Sequence, residues 1–301
     1  MGEVTDWLLE GPDWLRYAVT TQLLDAECDV QAALQDNHIQ TLVARVKDTS
    51  RGIAAGRTGA VSCETQGSAV WDLYFLADIG FKAWHLDVER EASDILKSQL
   101  PDGSFLTEPG MNPNYYCMSA ITLSTLARIG YAETQPLSYY IERLLKELRP
   151  GDGWHCEEDY SEACPMDNLN ILMLLGQYET FRGDSRFNGA LDFLLNHWVE
   201  RDSRYRPSGF GTGRRYRSLQ YPAIKYSILR VLDVVSLFPY AISCPSFRDM
   251  LDFVRAKSKE GRYYAEMPPG AYRDFDFGQT DMPSRWITFL VKRIEKRAGI
   301  Q

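Results

Sequence analysis

No stretch of the 301-residue chain is apolar for the ~20 residues that a membrane-crossing helix needs, so the sequence predicts no span. Basic residues are in the minority, 33 Lys and Arg against 41 Asp and Glu for a formal net charge of −8. That balance works against a general binder of nucleic acid or of anionic membrane surfaces. The opening residues, Met1-Gly2-Glu3-Val4-Thr5-Asp6, have acids where a secretory signal needs basic groups, and Asp6 breaks the myristoylation pattern. Low-complexity runs and blocks of like charge are missing too. The expectation from these absences is a cytoplasmic protein. Its six cysteines, Cys28, Cys63, Cys117, Cys156, Cys164 and Cys244, are then expected to be reduced.

What the chain does have is a repeated turn. Gln99-Leu-Pro-Asp-Gly-Ser-Phe105 follows an amphipathic stretch and precedes an apolar one, and related turns lie at Gly151-Asp152-Gly153-Trp154 and Glu260-Gly261-Arg262-Tyr263. Looser counterparts are Arg57-Thr58-Gly59 and Ser208-Gly209-Phe210. Gly56, Gly103, Gly153, Gly209 and Gly261 mark steps of 47 to 56 residues. A period of this length signals repeats that bury their apolar faces against one another. A composition 45% hydrophobic and 12% aromatic supplies the core. The prediction is one domain over residues 1–301, with 1–33 as a helical cap or an incomplete sixth pair.

Within each repeat two helix types alternate. Stripes such as Ile39/Leu42/Val43/Val46, Val88/Ala92/Ile95/Leu96, Leu137/Ile141/Leu144/Leu145/Leu148, Phe187/Leu191/Leu194/Leu195/Trp198 and Phe247/Leu251/Val254 mark helices with one wet side. After each comes a helix apolar on most of its surface, near 68–79, 115–129, 165–178, 222–237 and 284–297. Such helices are expected inside the fold. Five alternating pairs can build an open solenoid or a closed ring.

The turns Gln99-x-x-Asp102-Gly103-Ser104-Phe105 and Gly151-Asp152-Gly153-Trp154 resemble the Gln-Trp (QW) repeats of squalene and oxidosqualene cyclases, shared more loosely with protein prenyltransferase β-subunits. The resemblance runs over residues 34–301. It is closer still to small bacterial proteins with prenyltransferase and squalene oxidase repeats, through the Trp154-x-Cys156, Cys164-Pro165 and Gly-rich segments. It implies an all-α fold, an (α/α) toroid of five to six helix pairs around a hydrophobic central cavity. The cyclases' Asp-x-Asp-Asp proton donor has its nearest match in Asp274-Phe275-Asp276-Phe277, which lacks the last Asp. The prenyltransferase zinc ligands have no counterpart in order, since Cys164 precedes Asp167.

Chemistry is expected where linkers enter the inner helices. These linkers, Asp102–Asn114, Asp152–Ala163, Glu200–Tyr221 and Glu260–Pro283, reach or exceed the ~12 residues beyond which unstructured connections are uncommon and often functional. Asp167, in the first turn of an inner helix beside Asn168, is the candidate general acid, with Asp276 as a second carboxylate. His155, Cys156, Cys164 and Asp167 could hold zinc, or a cysteine here could act as nucleophile. Arg214 and Arg215, in a glycine-rich basic segment with Lys225 beyond it, could hold an anionic end, and Arg285 stands at another helix entrance. Trp71, Tyr115, Tyr116, Tyr221 and Trp286 could shape a pocket. In each case the plainer reading is a core aromatic, a helix-capping acid or a solvated loop.

The leading expectation is an enzyme acting on a small hydrophobic molecule with an anionic end, by acid-initiated cyclisation, isomerisation or elimination. Asp167 would be its acid. A non-catalytic toroid binding a lipid, peptide or partner protein, and a zinc or cysteine hydrolase built on His155, Cys156 and Cys164, stand beside it.

Overall fold

The computed structural model describes residues 2–54, 68–97, 99–101, 103, 116–155, 163–223 and 226–300. Over these residues the fold is all-helical, with β contacts limited to isolated bridges at turns. Helices of seven or more residues alternate between outer and inner positions. They are α1 (Glu3–Leu9), α2 (Asp13–Gln22), α3 (Asn37–Ala54), α4 (Ala69–Ile79), α5 (Glu89–Leu96), α6 (Tyr116–Leu126), α7 (Gln135–Glu147), α8 (Pro165–Leu175), α9 (Asn188–Val199), α10 (Ile228–Val235), α11 (Pro245–Arg255) and α12 (Arg285–Arg297).

The odd-numbered helices from α3 onward carry the amphipathic stripes and the even-numbered ones the apolar segments. In α4 every residue from Val70 to Ile79 is buried, and in α8 only Met166 keeps partial exposure. Contacts among the even-numbered helices run from α2 to α4, α6, α8, α10 and α12, and α12 touches α2 again. Residues 1–33 therefore supply α2, which contacts both α4 and α12, as well as α1. The chain's last long helix is bonded to its first two: Arg293 donates to the Gln22 side chain at 3.0 Å, Lys296 to the Gln22 carbonyl at 3.0 Å, and Arg285 to the Trp7 carbonyl at 3.0 Å.

α10 starts six residues later than the apolar pattern predicts. Ser227, the N-cap, is extended, and the Tyr226 ring before it stacks on His197 of α9, centroids 5.4 Å apart.

The turns explain the repeat. α4 ends on Gly80, whose φ of +109° closes the helix with a left-handed residue. Gly153 (φ +89°) has a further reason: a Cβ there would lie 1.9 Å from Asn168 Oδ1 and 2.7 Å from the Ala190 Cβ. With the backbone that close, Trp154 drops into the core and its indole N–H donates to the Leu144 carbonyl at 2.8 Å. The side chain of Asn168 closes the clasp, accepting from the Trp154 amide at 3.1 Å and donating to the carbonyls of Trp154 and Cys164. One repeat earlier, Gln99 does the same work by donating to the carbonyls of Gly103 and Pro136.

Trp154→Ala removes both the buried indole and this hydrogen bond. Urea unfolding is expected to show a loss of about 3–5 kcal/mol.

Candidate functional site

Charges set inside apolar helices organise the interior, because a helix with no wet face must pair them or neutralise them. At the C-terminal ends of the inner helices the pairing is dense. Asp78, in the last turn of α4, accepts from Arg293 at 2.8 Å, from Arg128 just beyond α6, and from the Tyr221 hydroxyl at 2.9 Å. Arg293 also grips Asp233 of α10 through Nε at 3.2 Å and Nη2 at 2.9 Å, and Arg297 reaches the same carboxylate at 2.9 Å. Burial alone would raise the Asp78 carboxyl. Arg293 and Arg128 overcome that and hold it well below the usual carboxylate range.

The N-terminal ends are different. Asp72, in the first turn of α4, is 0% exposed, and its Oδ1 takes both donors: Arg45 of α3 at 2.7 Å and the Tyr272 hydroxyl at 2.9 Å. Its Oδ2 is buried with no hydrogen-bond partner among the described residues. Burial therefore lifts this carboxyl to about 6 against the pull of Arg45 and Tyr272. On α10, Arg230 is 5% exposed. It donates to Asn170 of α8 and to the Ala223 carbonyl, and its guanidinium lies 5.3 Å from the ring centre of Trp71 on α4. Asp167, 1% exposed, sits three residues before Asn170 and so on the same side of α8.

Between these two levels lies a small cavity bounded by Tyr74, Asp78, Tyr221, Arg230, Asp233 and Leu290. Its volume of about 20 Å³ suits one water-sized group. Aromatic rings from two linkers fill the neighbouring space. Phe75 of α4 has Phe275, Phe277 and Trp286 each at 5.2 Å and Tyr221 at 5.6 Å, all edge-on. Among the described residues the rings pack on one another here, and the small cavity beside them is bordered by Tyr74, Tyr221, Leu229 and Leu290 together with Asp78, Asp233 and Arg230.

The residues singled out from sequence fall into distinct places. Asp167 is buried at the entrance of α8, and Cys164 precedes that helix as its buried N-cap. Asn168 is the clasp of Trp154. Asp276 caps α12, accepting from the Trp286 amide at 3.1 Å and the Ser284 hydroxyl at 3.3 Å. Tyr116 faces α7, its hydroxyl 2.6 Å from Glu147. Trp71 carries Arg230 on its face, Tyr221 anchors on Asp78, and Trp286 is fully buried core. Arg285 ties α12 to α1, its guanidinium 4.7 Å from the ring centre of Trp7.

Arg214 and Arg215 are exposed on a single-turn helix. His155 is held between Asp152 at 2.9 Å and Arg149 at 3.2 Å. Among the described residues no three His, Cys, Asp or Glu side chains converge as a metal-ligand set would. Cys156, Tyr115 and Lys225 lie outside the described residues.

Asp72, Asp78, Arg230, Asp233 and Arg293 were missed by motif reading. For Asp72, Asp78, Arg230 and Asp233 the signal was position, since each interrupts an apolar helix, as in Trp71-Asp72-Leu73 and Leu229-Arg230-Val231; Arg293 lies among other charged residues and had no such signal. No protein-family model matches the chain, and no curated protein matches it.

Because the folded chain keeps the Asp72 proton to higher pH than the unfolded chain, this group's stabilising contribution is complete below about pH 4. It is lost as pH rises through about 6. Relative to wild type, Asp72→Asn should therefore gain on the order of 2 kcal/mol between pH 4 and pH 7 in urea unfolding. Parallel pH profiles would contradict the assignment.

Proposed function

We propose that the inner helices close into an (α/α) toroid and that the protein is an enzyme acting on a small molecule at their N-terminal ends. Support for the toroid comes from the helix contacts that leave α2 and return to it, and from the near-constant spacing of the turn glycines. The chemistry is acid–base: a reaction begun by protonation, such as cyclisation, isomerisation or elimination. Asp167 is its acid.

The observation that carries this reading is the burial of the Asp167 carboxyl in the first turn of an inner helix, on the side where Arg230 meets Asn170. A buried carboxyl group at a helix entrance can give a proton to a bound molecule and take it back as product leaves. The space among Tyr74, Asp78 and Arg230 has a small volume and is not lined by Asp167. The reading is of a small substrate with its polar part toward Arg230. That same small volume favours, as a second reading, a toroid whose role is binding without turnover.

The test is incubation of the purified chain with a small-molecule extract, followed by mass spectrometry. An isomeric or eliminated product should form, and its rate should fall about 100-fold or more in Asp167→Asn. Unchanged turnover in that variant overturns the assignment of the acid.

A further inference from the structure

Charge is unevenly spread along this acidic chain. Residues 200–217, between α9 and α10, hold six arginines, Arg201, Arg204, Arg206, Arg214, Arg215 and Arg217, against two acids, Glu200 and Asp202. The segment is clipped to itself: the Thr212 hydroxyl donates to the Arg201 carbonyl at 3.1 Å, and Arg217 Nε donates to the Thr212 carbonyl at 2.7 Å. Pro207 and Tyr216 are buried, and the Phe210 ring meets Tyr226 edge-on with centroids 5.9 Å apart. Arg206 lies against the Gly211 backbone, where a Cβ would come within 2.7 Å of its Nε, and it donates to the carbonyls of Ser203 and Tyr205. The arginines are thus carried on a frame that is already formed, which lowers the ordering cost of binding.

Only two of the six are neutralised by acids. Arg201 pairs with Asp249 at 3.2 Å and Arg217 with Asp202 at 3.2 Å. Arg204, Arg206, Arg214 and Arg215 are exposed, and among the described residues no carboxylate lies within ion-pair reach of them. A guanidinium stays charged at any physiological pH, and its planar fork of donors matches a carboxylate. Tyr205, between two of these arginines, is 44% exposed. Arginine and tyrosine are the residues in which protein-binding surfaces are enriched.

The patch is bounded by acids. Glu200, Asp202 and Asp249 are exposed beside it. A long nucleic acid or a flat anionic membrane would have to lie over these acids and over a chain that is acidic elsewhere, whereas a short acidic segment meets the arginines alone.

We propose that residues 200–217 are a docking surface for a short acidic peptide segment of a partner protein, its carboxylates on Arg204, Arg206, Arg214 and Arg215 and an apolar side chain against Tyr205.

The probe is a fluorescein-labelled dodecapeptide, three repeats of Glu-Glu-Leu-Glu, and its binding to the full chain is followed by fluorescence anisotropy. The same peptide with Gln for Glu, a dodecathymidylate, and vesicles of phosphatidylserine and phosphatidylcholine are measured beside it. Wild type should bind the Glu peptide and lose about tenfold in affinity between about 50 and 200 mM NaCl. The triple variant Arg204→Gln, Arg214→Gln, Arg215→Gln should melt within about 2 °C of wild type, since all three side chains are exposed, and should bind about tenfold more weakly or worse. A control triple variant, Arg16→Gln, Arg90→Gln, Lys97→Gln, removes the same charge from other exposed positions and should bind as wild type does.

No binding of the Glu peptide, equal binding of the Gln peptide, equal losses in the two triple variants, or tighter binding of the dodecathymidylate or the vesicles overturns the proposal. If the patch variant does not fold, amide exchange on wild type with and without the Glu peptide decides. Protection gained within residues 200–217 supports the surface, and protection gained only elsewhere overturns it.

Discussion

The structure depends on one buried carboxylate. Asp78, at the end of α4, is met by Arg293 from α12, Arg128 from the end of α6 and Tyr221 from the linker before α10. Arg293 extends the set to Asp233 of α10 and Gln22 of α2. Helices α2, α4, α10 and α12, with Arg128 just beyond α6, thus share one polar cluster. Burying ions is costly unless every partner is in place, and removing one partner from such a cluster typically costs 3–5 kcal/mol, as a rough scale. The cluster therefore specifies how the ends of the chain meet more sharply than apolar packing would.

The two ends of the inner helices are built for different tasks. At the C-terminal ends ions are paired in a dense network. At the N-terminal ends two linkers lean in: Tyr221 from one, Tyr272, Phe275 and Phe277 from the other. They are tied together where Glu266 bonds Leu219, its amide to the Leu219 carbonyl at 2.8 Å and its carboxylate to the Leu219 amide at 2.7 Å. Aromatic packing of this kind supplies rigidity at little cost in side-chain entropy, because few rotors are frozen. What remains on this side is a set of buried polar groups, Asp72, Asp167, Asn170 and Arg230, in apolar surroundings. Of these, Asp72 is the carboxyl that burial raises to about 6, and perturbed ionisable groups concentrate at functional sites.

Most of the helices were legible because burial leaves a periodic trace. Leu137, Ile141, Leu144 and Leu148 repeat at helical spacing, and α7 lies there; the apolar run Leu169 to Leu175, broken only by Asn170, lies in α8. The start of α10 was not legible, since the rings that pack on Tyr226, those of His197 and Tyr216, come from other elements. Site residues were harder for the same reason. Asp276 and Asp167 look alike as acids near a helix start, and only three-dimensional contacts make the first a cap of α12 and leave the second inside. The arginine cluster at 214–217 drew attention by its density. A single Arg230 in an apolar helix carried more information, because its position forces burial.

The measurement that tests the account most directly is amide hydrogen exchange on wild type and Arg293→Gln, compared helix by helix under native conditions. If the Asp78 cluster holds the first and last pairs together, protection should fall first in α2, α4, α10 and α12, while α7, α8 and α9 keep theirs. Unchanged protection in α2 and α4, or a loss that begins in α8, would contradict it.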